Sequence, residues 1–255
     1  MKLFFASLLL SSIAATAGQS VILPKEGLTI VQTYFVPLPE EDLIGTFKSI
    51  NSVADGQIET LISVAIAASD TIIFWDHWED GYEDDPANPT QLSTEVWGDG
   101  TSLLYPELLR GQSIILENRV STDPNRTAIK YDGKDRISAT LPIAVTRSAY
   151  PETPGSLMAG AVEVFTVQSW GTEFTAPASA GTSGTNPFEY ATFYVMAGFD
   201  ETQVTYNGNT TKLQKGENLV LGPLVRGQKV TSNRHIQVDL IAGDIDSKFE
   251  LRWYA

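Results

Sequence analysis

IETLISVAIAASDTIIFW, residues 58–75, holds two short runs rich in Val, Ile, Thr and aromatic residues, 58–67 and 71–75, parted only by Ala68, Ser69 and Asp70. Such side chains suit a pleated, half-buried surface, and both runs read as β-strands. Similar runs recur along the chain at 28–36, 113–120, 143–146, 161–167, 190–196, 203–206 and 235–241. Turn signals such as Asp99-Gly100, Asp132-Gly133 and Asn207-Gly208 lie between them. The longest helical candidate, 39–51, contains Gly45 beside a β-branched residue and is expected to give at most one turn. Many short strands without alternating helices predict an all-β fold, antiparallel and sandwich-like.

An internal echo divides the chain. Ile137-Ser138-Ala139 followed by Ile143-x-Val145 recurs at the same spacing as Val230-Thr231-Ser232 followed by Ile236-x-Val238. Ala67-x-x-Asp70 is echoed by Ala197-x-x-Asp200, and Leu109 to Gln112 loosely by Leu213 to Glu217, in the same order. We expect two related β units, 18–175 and 188–255, joined by the small, polar segment 176–187, with a long acidic and aromatic insertion in the first. The last residues, 249–255, read as a strand cut short.

Met1-Lys2, the apolar run 3–13 and Ala15-Thr16-Ala17 have the pattern of a secretory signal peptide over 1–17. The run is shorter than the roughly 20 apolar residues that span a bilayer, so a secreted protein without membrane insertion is expected. Asn125-Arg126-Thr127 and Asn209-Thr210-Thr211 are N-glycosylation sequons, which predicts that Asn125 and Asn209 lie on the surface. The chain has no cysteine, which excludes thiol nucleophiles and Cys-ligated metals and leaves the core to hold the fold unaided.

A net charge of −14 argues against nucleic acid and anionic membrane as partners. Between Lys48 and Arg110 no basic residue occurs, while twelve carboxylates do. Eight of these lie in 74–100, FWDHWEDGYEDDPANPTQLSTEVWGDG, with three of the five tryptophans and one of the two histidines. His77, Trp78, Tyr82 and Trp97 are the candidate ligand-binding residues, flat or titratable side chains able to stack on a sugar or a partner side chain. An exposed His77 with no special task is the competing reading of that residue. Asp76, Glu79, Asp80, Glu83, Asp84 and Asp99 could furnish the six to eight oxygens of a calcium site; free solvated carboxylates are the competing, simpler reading. An EF-hand is excluded, because the register set by Asp80-Gly81 puts Trp78 and Ala87 at ligand positions.

Enzyme chemistry finds little purchase. No G-x-S-x-G elbow or H-E-x-x-H occurs, and no catalytic residue is assigned. Paired carboxylates such as Glu79, Glu83 and Glu163 leave a polysaccharide-acting glycoside hydrolase as an alternative. A structural matrix protein is another. Arg147, in a predicted strand, is expected to be buried against a carboxylate, with Glu163 and Glu173 as candidates.

Trp75-Asp76-His77-Trp78-Glu79-Asp80-Gly81, Tyr131-Asp132-Gly133-Lys134-Asp135 and Trp170-Gly171-Thr172-Glu173-Phe174 resemble a module of large extracellular bacterial surface proteins, itself similar to the N-terminal domain of the IgGFc-binding protein. The resemblance runs from about residue 28 to the end. It implies a secreted, β-rich adhesion or recognition module binding an extracellular glycan or protein, with no catalytic positions. Antibody binding belongs to the family's namesake and is not carried over.

Overall fold

The computed structural model describes residues 28–49, 57–123, 125–151, 160–181, 188–243 and 252–254. The signal-peptide segment 1–17 and residues 182–187 of the joining segment lie outside these residues.

The all-β expectation is met, and among the described residues the named strands pair antiparallel throughout. The first half contains β1 (Gln32–Phe35), β2 (Gln57–Ile66), β3 (Ile73–Asp76), β4 (Glu95–Trp97), β5 (Ser113–Ser121), β6 (Arg136–Ala139), β7 (Ile143–Pro151) and β8 (Gly160–Val164). These form two sheets, ordered β1-β6-β3-β4 and β5-β2-β7-β8. Ile62, Val64 and Val145 from one sheet and Ile73, Trp75, Trp97 and Ile137 from the other share a single core. The quoted stretch is thus the chain's passage from one sheet to the other. Asp70 turns the corner with φ 62°, a left-handed conformation that Asp tolerates better than most residues.

The second half contains β9 (Gly171–Thr175), β10 (Tyr190–Ala197), β11 (Thr202–Tyr206), β12 (Asn209–Leu213), β13 (Asn218–Leu221), β14 (Lys229–Gly243) and β15 (Arg252–Tyr254). Its pairings repeat those of the first half strand for strand. β2 lies between β5 and β7, as β10 lies between β13 and residues 236–243 of β14. β3 lies between β4 and β6, as β11 lies between β12 and residues 230–232 of β14. β1 on β6 matches β9 on the start of β14, and β8 on β7 matches β15 on its end. One long strand with an irregular register between Thr231 and Ile236 therefore does the work of β6 and β7. β9 lies within 18–175 yet pairs with the second half, so the repeat passes from one copy to the next between β8 and β9.

The copies differ most between β3 and β4. In the second copy the equivalent turn is the two residues Asn207 and Gly208, with φ 50° and 77°, the paired left-handed geometry that a two-residue hairpin requires. In the first copy residues 77–94 fill that place.

The expectation of no helix beyond one turn is corrected by α1 (Glu40–Ser49). Glu40, Glu41 and Asp42 in its first turn and Lys48 in its last complement the helix dipole. Leu43, Ile44 and Phe47 are buried on one face, while Gly45 falls on the exposed face, where its propensity cost is tolerable. That apolar face packs on Ile58, Val120 and Val162 of the first copy and on Tyr194 and Ile241 of the second. Tertiary burial, not local propensity, makes the helix.

Arg147 is fully buried, as expected, but its partner is Glu40, with Nη2 donating to Oε1 at 2.5 Å. Glu163 and Glu173 are exposed, and Glu173 pairs with Lys229. The alternation of β7 explains the correction. Thr146 sits opposite Glu163, so Arg147, the next residue, points to the other face, towards the N-terminus of α1.

Candidate functional site

Register sets the first element of the site. Asp76 at the end of β3 lies opposite Arg136 at the start of β6, and the two buried side chains form an ion pair at 2.5 Å. Arg136 also donates through Nη2 to the carbonyl of Glu83. Trp75 is wholly buried and stacked on Trp97, ring centres 5.1 Å apart, a diagonal cross-strand pair between β3 and β4. Its indole Nε1 donates to Asp135 Oδ2 at 2.7 Å.

His77 follows directly and is buried, contrary to the reading of an exposed loop histidine. Its Nδ1 lies 3.2 Å from Asp135 Oδ2 and its Nε2 3.2 Å from Glu95 Oε1. Burial alone would press the imidazolium to lose its proton, but the hydrogen bonds to Asp135 and Glu95 outweigh it and lift the pKa to about 10. Glu95 also receives Lys130 Nζ at 2.8 Å, the Tyr131 hydroxyl at 3.1 Å and Trp97 Nε1 at 3.2 Å. Against the upward push of burial, the hydrogen bonds from His77, Lys130 and Trp97 hold its carboxyl down at about 2. Asp132 is pushed up to about 8 by burial and by the neighbouring charges of Glu40, Asp135 and Glu79.

The inserted loop is held from within. Glu83 turns inward and accepts the backbone N–H of Thr90 at 2.7 Å and of Gln91 at 2.5 Å, as well as the Thr90 hydroxyl at 3.0 Å. Those bonds keep its carboxyl below the usual range despite burial. The Ser93 hydroxyl donates to Asp80 at 2.5 Å, and Gly81, at φ 94°, closes a turn onto the Trp78 carbonyl.

Two of the four candidate ligand-binding residues are placed at the surface. Trp78 is half-buried, donates Nε1 to Asp132 Oδ1 at 3.0 Å and has Lys134 Nζ 4.3 Å above its ring. Tyr82 is half-buried, edge-on to Phe35, with its hydroxyl donating to the Lys134 carbonyl at 2.8 Å. Trp97 is fully buried, which corrects its assignment as a stacking platform, and His77 offers no free face either. Trp97 is drawn in because β4 pairs with β3 and sets it against Trp75, and His77 is held inward by Asp135 and Glu95.

The six carboxylates assigned to calcium do not converge. Asp76 is neutralised by Arg136, Glu83 is consumed by its own loop, Asp80 by Ser93, and Asp99 caps the turn at Thr101. Glu79 and Asp84 are exposed. Among the described residues, the ligand atoms that do converge belong to His77, Glu79 and Asp135, all within 4.8 Å of one another. Asp135 escaped sequence reasoning because it lies 58 positions from His77, although the Tyr131 to Asp135 string had marked the neighbourhood. Asn125 and Asn209 are exposed, as expected.

The chain matches no protein-family model, no curated protein and no solved structure. The site therefore stands on its own geometry. Its chemistry is that of a rigid acidic platform: Glu79, Asp80, Asp84 and Asp85 reach solvent around half-buried Trp78 and Tyr82, over a network of buried charges that fixes the loop's shape.

Proposed function

We propose that the protein is a secreted binding module that recognises an extracellular glycan or protein through the 77–94 loop. The observation that carries this reading is the loop itself. Where the second copy makes a two-residue turn, the first builds eighteen residues, anchored by buried Glu83 and Arg136, and displays four exposed carboxylates beside Trp78. A loop ordered before binding loses little entropy on association, and a half-exposed indole ringed by carboxylates suits a flat apolar or sugar face next to positive charge. The two exposed sequons support an extracellular setting, and so does the resemblance to IgGFc-binding modules. The reading assigns no catalytic residue.

Screening the purified protein against glycan and extracellular-protein arrays tests it. A specific ligand is expected whose affinity falls at least tenfold in Trp78→Ala and weakens with added salt. Binding that is indifferent to Trp78→Ala and to Asp84→Asn would move the recognition surface off this loop.

A further inference from the structure

We infer that His77, Glu79 and Asp135 form a binding site for one divalent first-row transition metal ion, with zinc as its natural probe. This goes beyond the recognition reading and does not depend on it.

Four observations converge. The three side chains offer ligand atoms within 4.8 Å of one another, from two separate parts of the chain. Asp135 is wholly buried, and among the described residues its Oδ1 has no hydrogen-bond partner, an unusual state for a carboxylate oxygen away from water. His77 is already oriented as a ligand: Nε2 faces Glu95, which accepts its N–H, while Nδ1 faces Asp135. Metal-bound histidines are held in this way, with the second ring nitrogen donating to a carboxylate. Finally, the separation is compatible: two ligand atoms each about 2.0–2.1 Å from a tetrahedral zinc lie roughly 3.3 Å apart, and Nδ1 lies 3.2 Å from Asp135 Oδ2, the oxygen that also accepts Trp75 Nε1, while Oδ1 is left without a donor.

The metal takes the place of the proton on Nδ1, which leaves to solvent, and His77 stays neutral with its remaining N–H on Glu95. Glu79 is exposed and closes the site from the solvent side, leaving a further coordination position open to water or to a partner's ligand. An imidazole with two carboxylates selects a borderline ion over calcium, which prefers oxygen alone and more of it.

The test is calorimetric titration of the untagged protein with zinc, with the histidine side-chain nitrogens followed by NMR. One equivalent is expected to bind with micromolar affinity and to shift the His77 nitrogens, while exposed His235, the chain's other histidine, serves as the internal reference. Glu79→Gln, at an exposed position that leaves the fold intact, is expected to weaken zinc at least tenfold, and a hundredfold excess of calcium is expected not to displace it. Zinc binding undiminished in Glu79→Gln, His77 nitrogens that do not move, or displacement of zinc by calcium would each overturn the assignment, as would the absence of stoichiometric binding.

Discussion

Asp239 is wholly buried on β14, and its hydrogen-bond partner is Gln237, whose Nε2 lies 3.2 and 3.4 Å from the two carboxylate oxygens. Among the described residues no cation pairs with it, in contrast to Asp76 on Arg136 and Glu40 on Arg147. Burial raises its pKa to about 7, only partly offset by the Gln237 amide. The folded state therefore holds this proton more tightly than the unfolded chain, whose aspartates titrate at about 3.9. The associated stability is complete below that value and is lost as pH rises through about 7. Asp239→Asn keeps the shape without the charge. Its melting temperature is expected to exceed that of the parent at pH 8 and to converge on it at pH 4. Thermal unfolding across that range checks this, and a difference independent of pH would show that Asp239 does not carry the dependence. Asp42 and Asp132, raised to about 6 and 8, act in the same direction, so the comparison must be made between variant and parent.

At the scale of elements, α1 shows how weak local preference yields to packing. Gly45 sits mid-helix on the exposed face, and a Cβ built there meets nothing within 4 Å. Gly45→Ala is expected to stabilise the protein by about 0.5–1 kcal/mol, because alanine loses less backbone freedom on entering a helix. Denaturant unfolding with an unchanged slope would report it as a shift of the midpoint; no shift would mean that the helix is not limited by this residue. The hairpins make the complementary point. β11 and β12 are joined by Asn207-Gly208, whose backbone preferences fix the turn, whereas β3 and β4 need the buried anchors Glu83 and Arg136 to close theirs.

Across the whole molecule, the inserted loop of the first copy reaches the second. A Cβ at Gly216 would lie 1.7 Å from the Tyr82 hydroxyl oxygen, and Gly216 itself has φ 76°. Gly216→Ala therefore combines a left-handed conformation, costing about 1–2 kcal/mol in an L-residue, with a direct clash. In a Tyr82→Ala background only the backbone cost should remain. A double-mutant cycle by thermal unfolding is expected to give a clear coupling between the two positions, and strictly additive effects would mean that loop and second copy are not in contact in solution. The contact joins the copies at a second place, beyond the shared core around α1.

The sequence alone determined what is local. Strand-forming runs, the Asn207-Gly208 turn, the repeated order of signals along the chain and the density of chemistry at 74–100 were all legible, since each depends on neighbours a few positions away. Strand ends were less so: the run at 28–36 contributes strand only over Gln32–Phe35, and β4, β6, β9, β12 and β13 were not singled out as strands. They are short, and pairing rather than composition defines them. Only the tertiary structure decided the site. Read along the chain, the eight carboxylates of 74–100 have no lysine or arginine among them, which suggested a cation from outside; in the fold, Arg136 and Lys130 supply one from within to Asp76 and Glu95. Sheet register sets Arg136 opposite Asp76 across 60 positions of sequence, and no local pattern encodes that meeting. The same register buries Trp97 against Trp75 and brings Asp135 to His77, because pairing between strands distant in sequence is chosen by the energy of the completed sheets rather than by either strand alone.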